Sequence, residues 1–147
     1  SDAMYAGINV LRPYLPEEKN DVKHKCVIGV VEGDTHDIGK NLVKIMLETA
    51  GFEMIDLGRD VPLQKFVDTA KEKEAELICL STLMTTTMPG MEEIIHLLEK
   101  EGLRDKVKVM IGGGPVSQNY ADKIGADGYS TTAVEAVKLA KRLLAIA

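Results

Sequence analysis

A chain of 147 residues, 45% hydrophobic and 28% charged, is long enough for one domain that buries roughly two-thirds of its unfolded surface without a disulfide or metal staple. Its net charge of −5, zero Trp, two Phe and four Tyr argue against a nucleic-acid partner, which calls for a basic face and rings for base stacking. No apolar run approaches the ~20 residues of a membrane span and no signal-peptide pattern opens the chain, so the expectation is no membrane association and a cytoplasmic location.

Residues 1–23 stand apart from the rest of the chain. Ala3, Met4, Ile8 and Leu11 space as a helical stripe that ends before Pro13, and Pro16-Glu17-Glu18-Lys19-Asn20 reads as a linker. From residue 24 to 147 the chain alternates. Cys26 to Val31 is short, apolar and β-branched, the pattern of a buried parallel strand. Leu42, Val43, Met46, Leu47 and Ala50 then recur at helical spacing, with Gly51 as a stop. Phe52 to Leu57 reads as a second strand, and Pro62 opens a helix striped by Leu63, Phe66, Val67 and Ala70. Leu77 to Leu80 makes a third strand, Met91, Ile94, Ile95 and Leu98 a third helix, and Val107 to Ile111 a fourth strand. After Gly112-Gly113-Gly114-Pro115 come a short helix over Ser117 to Ile124, a brief strand at Gly128-Tyr129, and a last helix patterned by Val134, Val137, Leu139, Leu143 and Leu144.

Five βα units imply an α/β fold, a doubly wound parallel sheet, because parallel neighbours need helical crossovers. The flavodoxin-like strand order 2-1-3-4-5 is expected, with the topological switch point between strands one and three. The loops Gly33 to Ile38 and Ser81 to Met88 then face one crevice.

The first of these loops carries the chemistry. Asp34-Thr35-His36-Asp37-Ile38-Gly39-Lys40-Asn41 places an Asp-x-His pair between a buried strand and a helix, so that a carboxylate can orient one imidazole for a metal. A phosphate loop does not fit: Gly33 and Gly39 enclose five residues rather than four, Asn41 stands where Ser or Thr would hold magnesium, and two acids would repel a phosphate. A receiver-type phosphoacceptor site fails as well, since Ser81 ends strand three and Tyr129-Ser130 follow strand five where that site needs Asp and Lys. No GxGxxG follows strand one. His24, in a basic linker, and His96, off the apolar stripe of its helix, read as solvated side chains. Cys26 and Cys79 read as core thiols, without the CxxC spacing of a zinc site.

Asp34-x-His36-x-x-Gly39, then Ser81-x-Leu83, then Gly112-Gly113 resembles the cobalamin-binding signature, and DTHDIGKN resembles the corrinoid proteins of methylamine and methanol methyltransferase systems and the cobalamin domain of methionine synthase. The resemblance covers about residues 1–144. It implies cobalamin bound base-off and His-on, with His36 Nε2 as the lower axial ligand of cobalt and the benzimidazole tail threaded into the crevice. Asp34 would hold Nδ1–H, and Thr87 aligns with a hydroxyl that continues this relay. Thr85 aligns with a residue near the tail, Ser81 with a hydroxyl that bonds the benzimidazole, and Leu83 packs nearby. Thr35, Asp37 and Ile38 complete the cofactor-binding loop. Gly39 and Gly112, Gly113 and Gly114 would give close backbone approach, and Tyr129 would meet the tail.

The implied function is a corrinoid carrier, a component rather than a complete enzyme, that takes a methyl group from one methyltransferase and gives it to another. Its implied partners are those methyltransferase subunits and a reductive activation protein. Family members of this type carry a four-helix module before the α/β domain; residues 1–15 resemble its last helix, so 1–23 are expected to be the remnant of a truncated cap and its linker. The alternative is the cobalamin-binding subunit of an adenosylcobalamin mutase, which shares Asp-x-His-x-x-Gly; HDIGKN favours methyl transfer. A cobalamin-sensing regulator would need an attached signalling or DNA-binding module, and a flavodoxin-like domain without corrinoid leaves the signature unexplained.

Overall fold

The computed structural model describes residues 24–145. The expected helix and linker of residues 1–23 lie outside the described residues. The strands are β1 (Lys25–Val31), β2 (Glu53–Val61), β3 (Leu77–Ser81), β4 (Lys108–Gly112) and β5 (Gly128–Tyr129). They form one sheet in the order β2-β1-β3-β4-β5, every neighbouring pair parallel, as the βα alternation requires. Helices α1 (Ile38–Thr49), α2 (Leu63–Lys73), α3 (Pro89–Lys100), α4 (Gln118–Ile124) and α5 (Ala133–Leu143) supply the crossovers, and a 3₁₀ turn at Thr85–Thr87 precedes α3.

Side chains alternate across the sheet and divide the core in two. Val27, Val31, Ile78, Leu80, Val109 and Ile111 meet α2, α3 and α4 on one face. Cys26, Ile28, Leu77, Cys79 and Met110 meet α1 and α5 on the other. Buried on both faces, the central strands read as continuous apolar runs, and this is why they are conspicuous in the sequence.

Three details depart from the sequence expectation. Strand β2 does not stop at Leu57: it continues to Val61 through Gly58 at φ 92°, with irregular register against β1. Leu42 is 55% exposed rather than core, as are Ile38 at 78% and Ile45 at 57%; α1 turns Leu47 and partly buried Val43 inward instead. Val134 is likewise exposed on α5, whose buried face is Ala136, Leu139 and Ala140. The apolar residues of these helices exceed what one packed face can cover.

Candidate functional site

The connections that leave the carboxyl ends of the paired strands β1 and β3 part at the switch point and border a crevice of about 380 Å³. Ile28, Val43, Cys79 and Leu80 give it apolar walls; His36, Lys40, Ser81, Tyr129, Ser130 and Thr131 give it polar ones. Gly39, Leu83 and the run Gly112 to Gly114 complete the lining.

Asp34 stands behind the mouth of this crevice with its side chain fully buried. It lies where β1 turns out of the sheet, its own N–H bonded to the Val31 carbonyl at 3.0 Å. Carboxylate Oδ1 accepts from the His36 backbone N–H at 2.9 Å and pairs with His36 Nδ1 at 2.7 Å. Oδ2 accepts from the Thr82 hydroxyl at 2.8 Å and the Leu83 N–H at 2.6 Å. Burial alone would raise this carboxyl's pKa, but the bonds from the His36 N–H, the Leu83 N–H, the Thr82 hydroxyl and the His36 ring outweigh it and hold the group far below the usual carboxylate range. Asp34 is therefore an ionised acceptor, and the neutral His36 ring must carry its proton on Nδ1. Nε2 then presents its lone pair from a side chain that is 55% exposed at the crevice. Among the described residues no three His, Cys, Asp or Glu side chains gather as a metal cage. One oriented imidazole beside an open crevice suits a metal whose remaining positions are filled by a macrocycle.

The relay expected from Asp34 to Thr87 contains a member that the sequence reading missed. Thr82, fully buried, bonds Asp34 directly, and since its one proton goes to that carboxylate, the Thr87 hydroxyl joins it as donor to Thr82, with the Met84 carbonyl as a competing acceptor 3.0 Å away. Strand alternation was the available signal: if Ser81 and Leu83 face the crevice, Thr82 between them points the other way, toward Asp34. Lys40 was also missed. Its ammonium is nearly buried in the crevice wall, bonded to both Asp56 oxygens at 2.9 Å and to Asn41 Oδ1 at 2.6 Å. Burial again opposes ionisation of Asp56, but the bonds from Lys40 and the Gly58 N–H and the charges of Lys40 and Lys44 together outweigh it, so the Asp56 carboxyl lies below its ordinary value.

The remaining expected residues divide. His36, Gly39, Ser81, Leu83, Gly112, Gly113, Gly114 and Tyr129 share the crevice; Thr35, Asp37, Ile38 and Thr85 stand outside its lining. The glycines differ in their reasons. At Gly39 a Cβ would meet nothing within 4 Å, so the space beside it is free for a ligand. At Gly113, with φ 125°, a Cβ would lie 1.7 Å from the Thr82 carbonyl oxygen, so this glycine is needed for the approach of β4's end to the Thr82 backbone. His24 is not simply solvated: it pairs with Glu76 and lies against Phe52. His96 is 57% exposed, near Glu92.

Residues 24–138, which carry the switch-point crevice and the carboxylate-held imidazole, match the family model described as B12 binding domain, and the chain belongs to that family of cobalamin-binding domains. More particularly, it is 57% identical over 146 residues to dimethylamine corrinoid protein 3 of Methanosarcina mazei, covering 99% of this chain and 87% of that one. The solved monomethylamine corrinoid protein of Methanosarcina barkeri is 43% identical with a TM-score of 0.78, over 82% of this chain and 57% of that one. A methanol:cobalamin methyltransferase complex from the same organism contains a chain 34% identical, with a TM-score of 0.79 over 86% of this chain and 48% of that one. The chain thus spans about half the length of these solved proteins.

Proposed function

We propose that this chain is a corrinoid carrier that holds cobalamin through His36 and passes a methyl group between methyltransferases. The observation that carries the reading is the fully buried, ionised Asp34 fixing Nδ1 of the one histidine at the crevice. When bound, cobalamin supplies the methyl-transfer chemistry at its cobalt. The chain's own work is geometric and electrostatic. His36 would hold the cobalt through Nε2, with Asp34 fixing the tautomer and raising the basicity of that nitrogen, and Thr82, backed by Thr87, holding Asp34. The crevice between Gly39, Ser81 and Gly112 would take the cofactor's benzimidazole tail, with apolar walls against the ring and Ser81, Ser130 and Thr131 available to its polar groups.

The resemblance to chains of dimethylamine, monomethylamine and methanol systems supports a small methylated amine or alcohol as the ultimate methyl source, delivered by a partner methyltransferase. A reductive activation protein is the further partner expected of such a carrier. Among the described residues no helix is long and apolar enough to cross a membrane. The test is reconstitution with hydroxocobalamin followed by electron paramagnetic resonance of the Co(II) form. Axial-nitrogen splitting in the wild type, lost in His36→Ala, is expected; splitting that survives the substitution would remove His36 from the role.

A further inference from the structure

The loop that carries His36 is gripped from two sides. On the β3 side, Thr82 and Leu83 hold the Asp34 carboxylate. On the β2 side, Asp60 holds the loop's backbone: its N–H donates to the Asp34 carbonyl at 2.8 Å, and its Oδ1 accepts the Gly33 N–H at 2.8 Å. The grip is returned by Glu32, whose Oε1 accepts the Leu63 N–H at 3.4 Å. Asp60 is placed for this by the overrun of β2 beyond Gly58, and it takes φ 51°, a left-handed conformation that Asp and Asn tolerate better than other side chains. A residue held in this region, with both backbone and side chain committed to one neighbouring loop, is there for the loop's geometry.

We propose that Asp60 is a positioning residue for the axial ligand: it fixes the backbone from which Asp34 and His36 project, as Thr82 fixes the Asp34 carboxylate. The proposal rests on the reading of His36 as the cobalt ligand. Asp60→Asn keeps the left-handed tolerance and an acceptor oxygen; Asp60→Gly keeps the backbone conformation but removes the acceptor; Asp60→Ala removes both.

Two readouts separate the grip from the ligation. In the protein without cobalamin, amide hydrogen exchange of Gly33 is expected to quicken about tenfold in the Gly and Ala variants, the equivalent of one net hydrogen bond, and to stay near wild type in Asn. After reconstitution with hydroxocobalamin, the Gly and Ala variants should bind about tenfold more weakly, at the lower end for a group that orients a metal ligand, and lose part of the axial-nitrogen splitting. Asn should restore both. Unchanged Gly33 exchange in Asp60→Gly would overturn the grip. Quickened exchange with unchanged splitting and affinity would overturn the positioning role. A wild-type spectrum with no axial nitrogen, alongside a protected Gly33 amide, would overturn the His36 reading and the positioning role with it, while leaving the grip itself standing.

Discussion

Thr82→Val removes a single buried hydroxyl at nearly constant shape, and the structure sets how much that should cost. The hydroxyl donates to the ionised Asp34, and hydrogen bonds to charged groups contribute ~1.5–3 kcal/mol. Of its partners only the Met84 N–H, a long 3.4 Å contact at an exposed residue, loses its acceptor. Asp34 Oδ2 keeps the Leu83 N–H at 2.6 Å, and the Thr87 hydroxyl, released from Thr82, can donate to the Met84 carbonyl 3.0 Å away. The cost should therefore fall at the low end, about 1.5 kcal/mol, or about 3–6 °C in Tm for a chain of this size. Thr87→Val should cost less, since Thr82 still reaches Asp34 without it, and the double variant should cost less than the sum because both act through one chain of hydroxyls. Urea unfolding of the four proteins without cobalamin measures all three quantities. The pH dependence adds a sign. Asp34's folded pKa is depressed, so its stabilisation is full above the unfolded carboxylate value of ~3.9 and is lost as pH falls toward the folded value. Removing one of the bonds that depress it should bring the folded pKa back up and shrink that contribution, so Thr82→Val should begin to unfold at higher pH than wild type. A variant within about 0.5 kcal/mol of wild type, with the same acid limb, would refute the role given to Thr82.

Gly39→Ala should leave the unliganded fold as stable or more so, because the position is helical and open, yet weaken cobalamin binding; Gly113→Ala should destabilise the protein before any ligand is added, because its Cβ meets the Thr82 carbonyl at 1.7 Å. Thermal melts and calorimetric titration of the two variants, read together, check this contrast. Asp56→Asn should flatten the acid limb of the stability profile, since Asp56's depressed pKa likewise gives stabilisation that is present above the unfolded value and lost below the folded one; acid titration followed by circular dichroism reads it. Cys79, on the crevice wall with a thiol that burial pushes up to about 12, should alkylate slowly at neutral pH and more slowly still with cobalamin bound, as peptide mass spectrometry after timed iodoacetamide treatment would show; fast labelling at pH 7 would contradict its burial.

The order of the sheet was legible because five apolar runs alternate with helical stripes, and only a few topologies join such units. Asp34, His36 and Gly39 were legible because their spacing on a strand-to-helix turn is itself the chemistry. Thr82 was not, since a residue between two motif positions is silent until the strand's alternation assigns it a face. The extension of β2 was hidden by its own punctuation: Gly58 and Asp60 look like the start of a turn, whereas tertiary pairing to the β1 loop carries the strand through them. Lys40 was hidden for a different reason. A lysine in the first turn of a helix reads as solvated, and only the placement of Asp56 on the adjacent strand turns it inward.

The same overrun of β2 has a meaning for how the molecule meets other proteins. A sheet with two open rims can recruit a foreign strand along either, and a long flat rim invites it. Here one rim is β5, only two residues long, and the other is β2, where irregular register, two left-handed residues and the charges of Glu53, Asp56, Arg59 and Asp60 break the row of free backbone groups. Among the described residues neither rim offers a long flat template for strand addition. The apolar side chains of Ile38, Leu42, Leu83 and Met84, by contrast, lie exposed on helices and loops, Leu83 sharing the crevice lining with His36, so among the described residues a visitor to the crevice is met by side-chain surface and not by an edge to be extended.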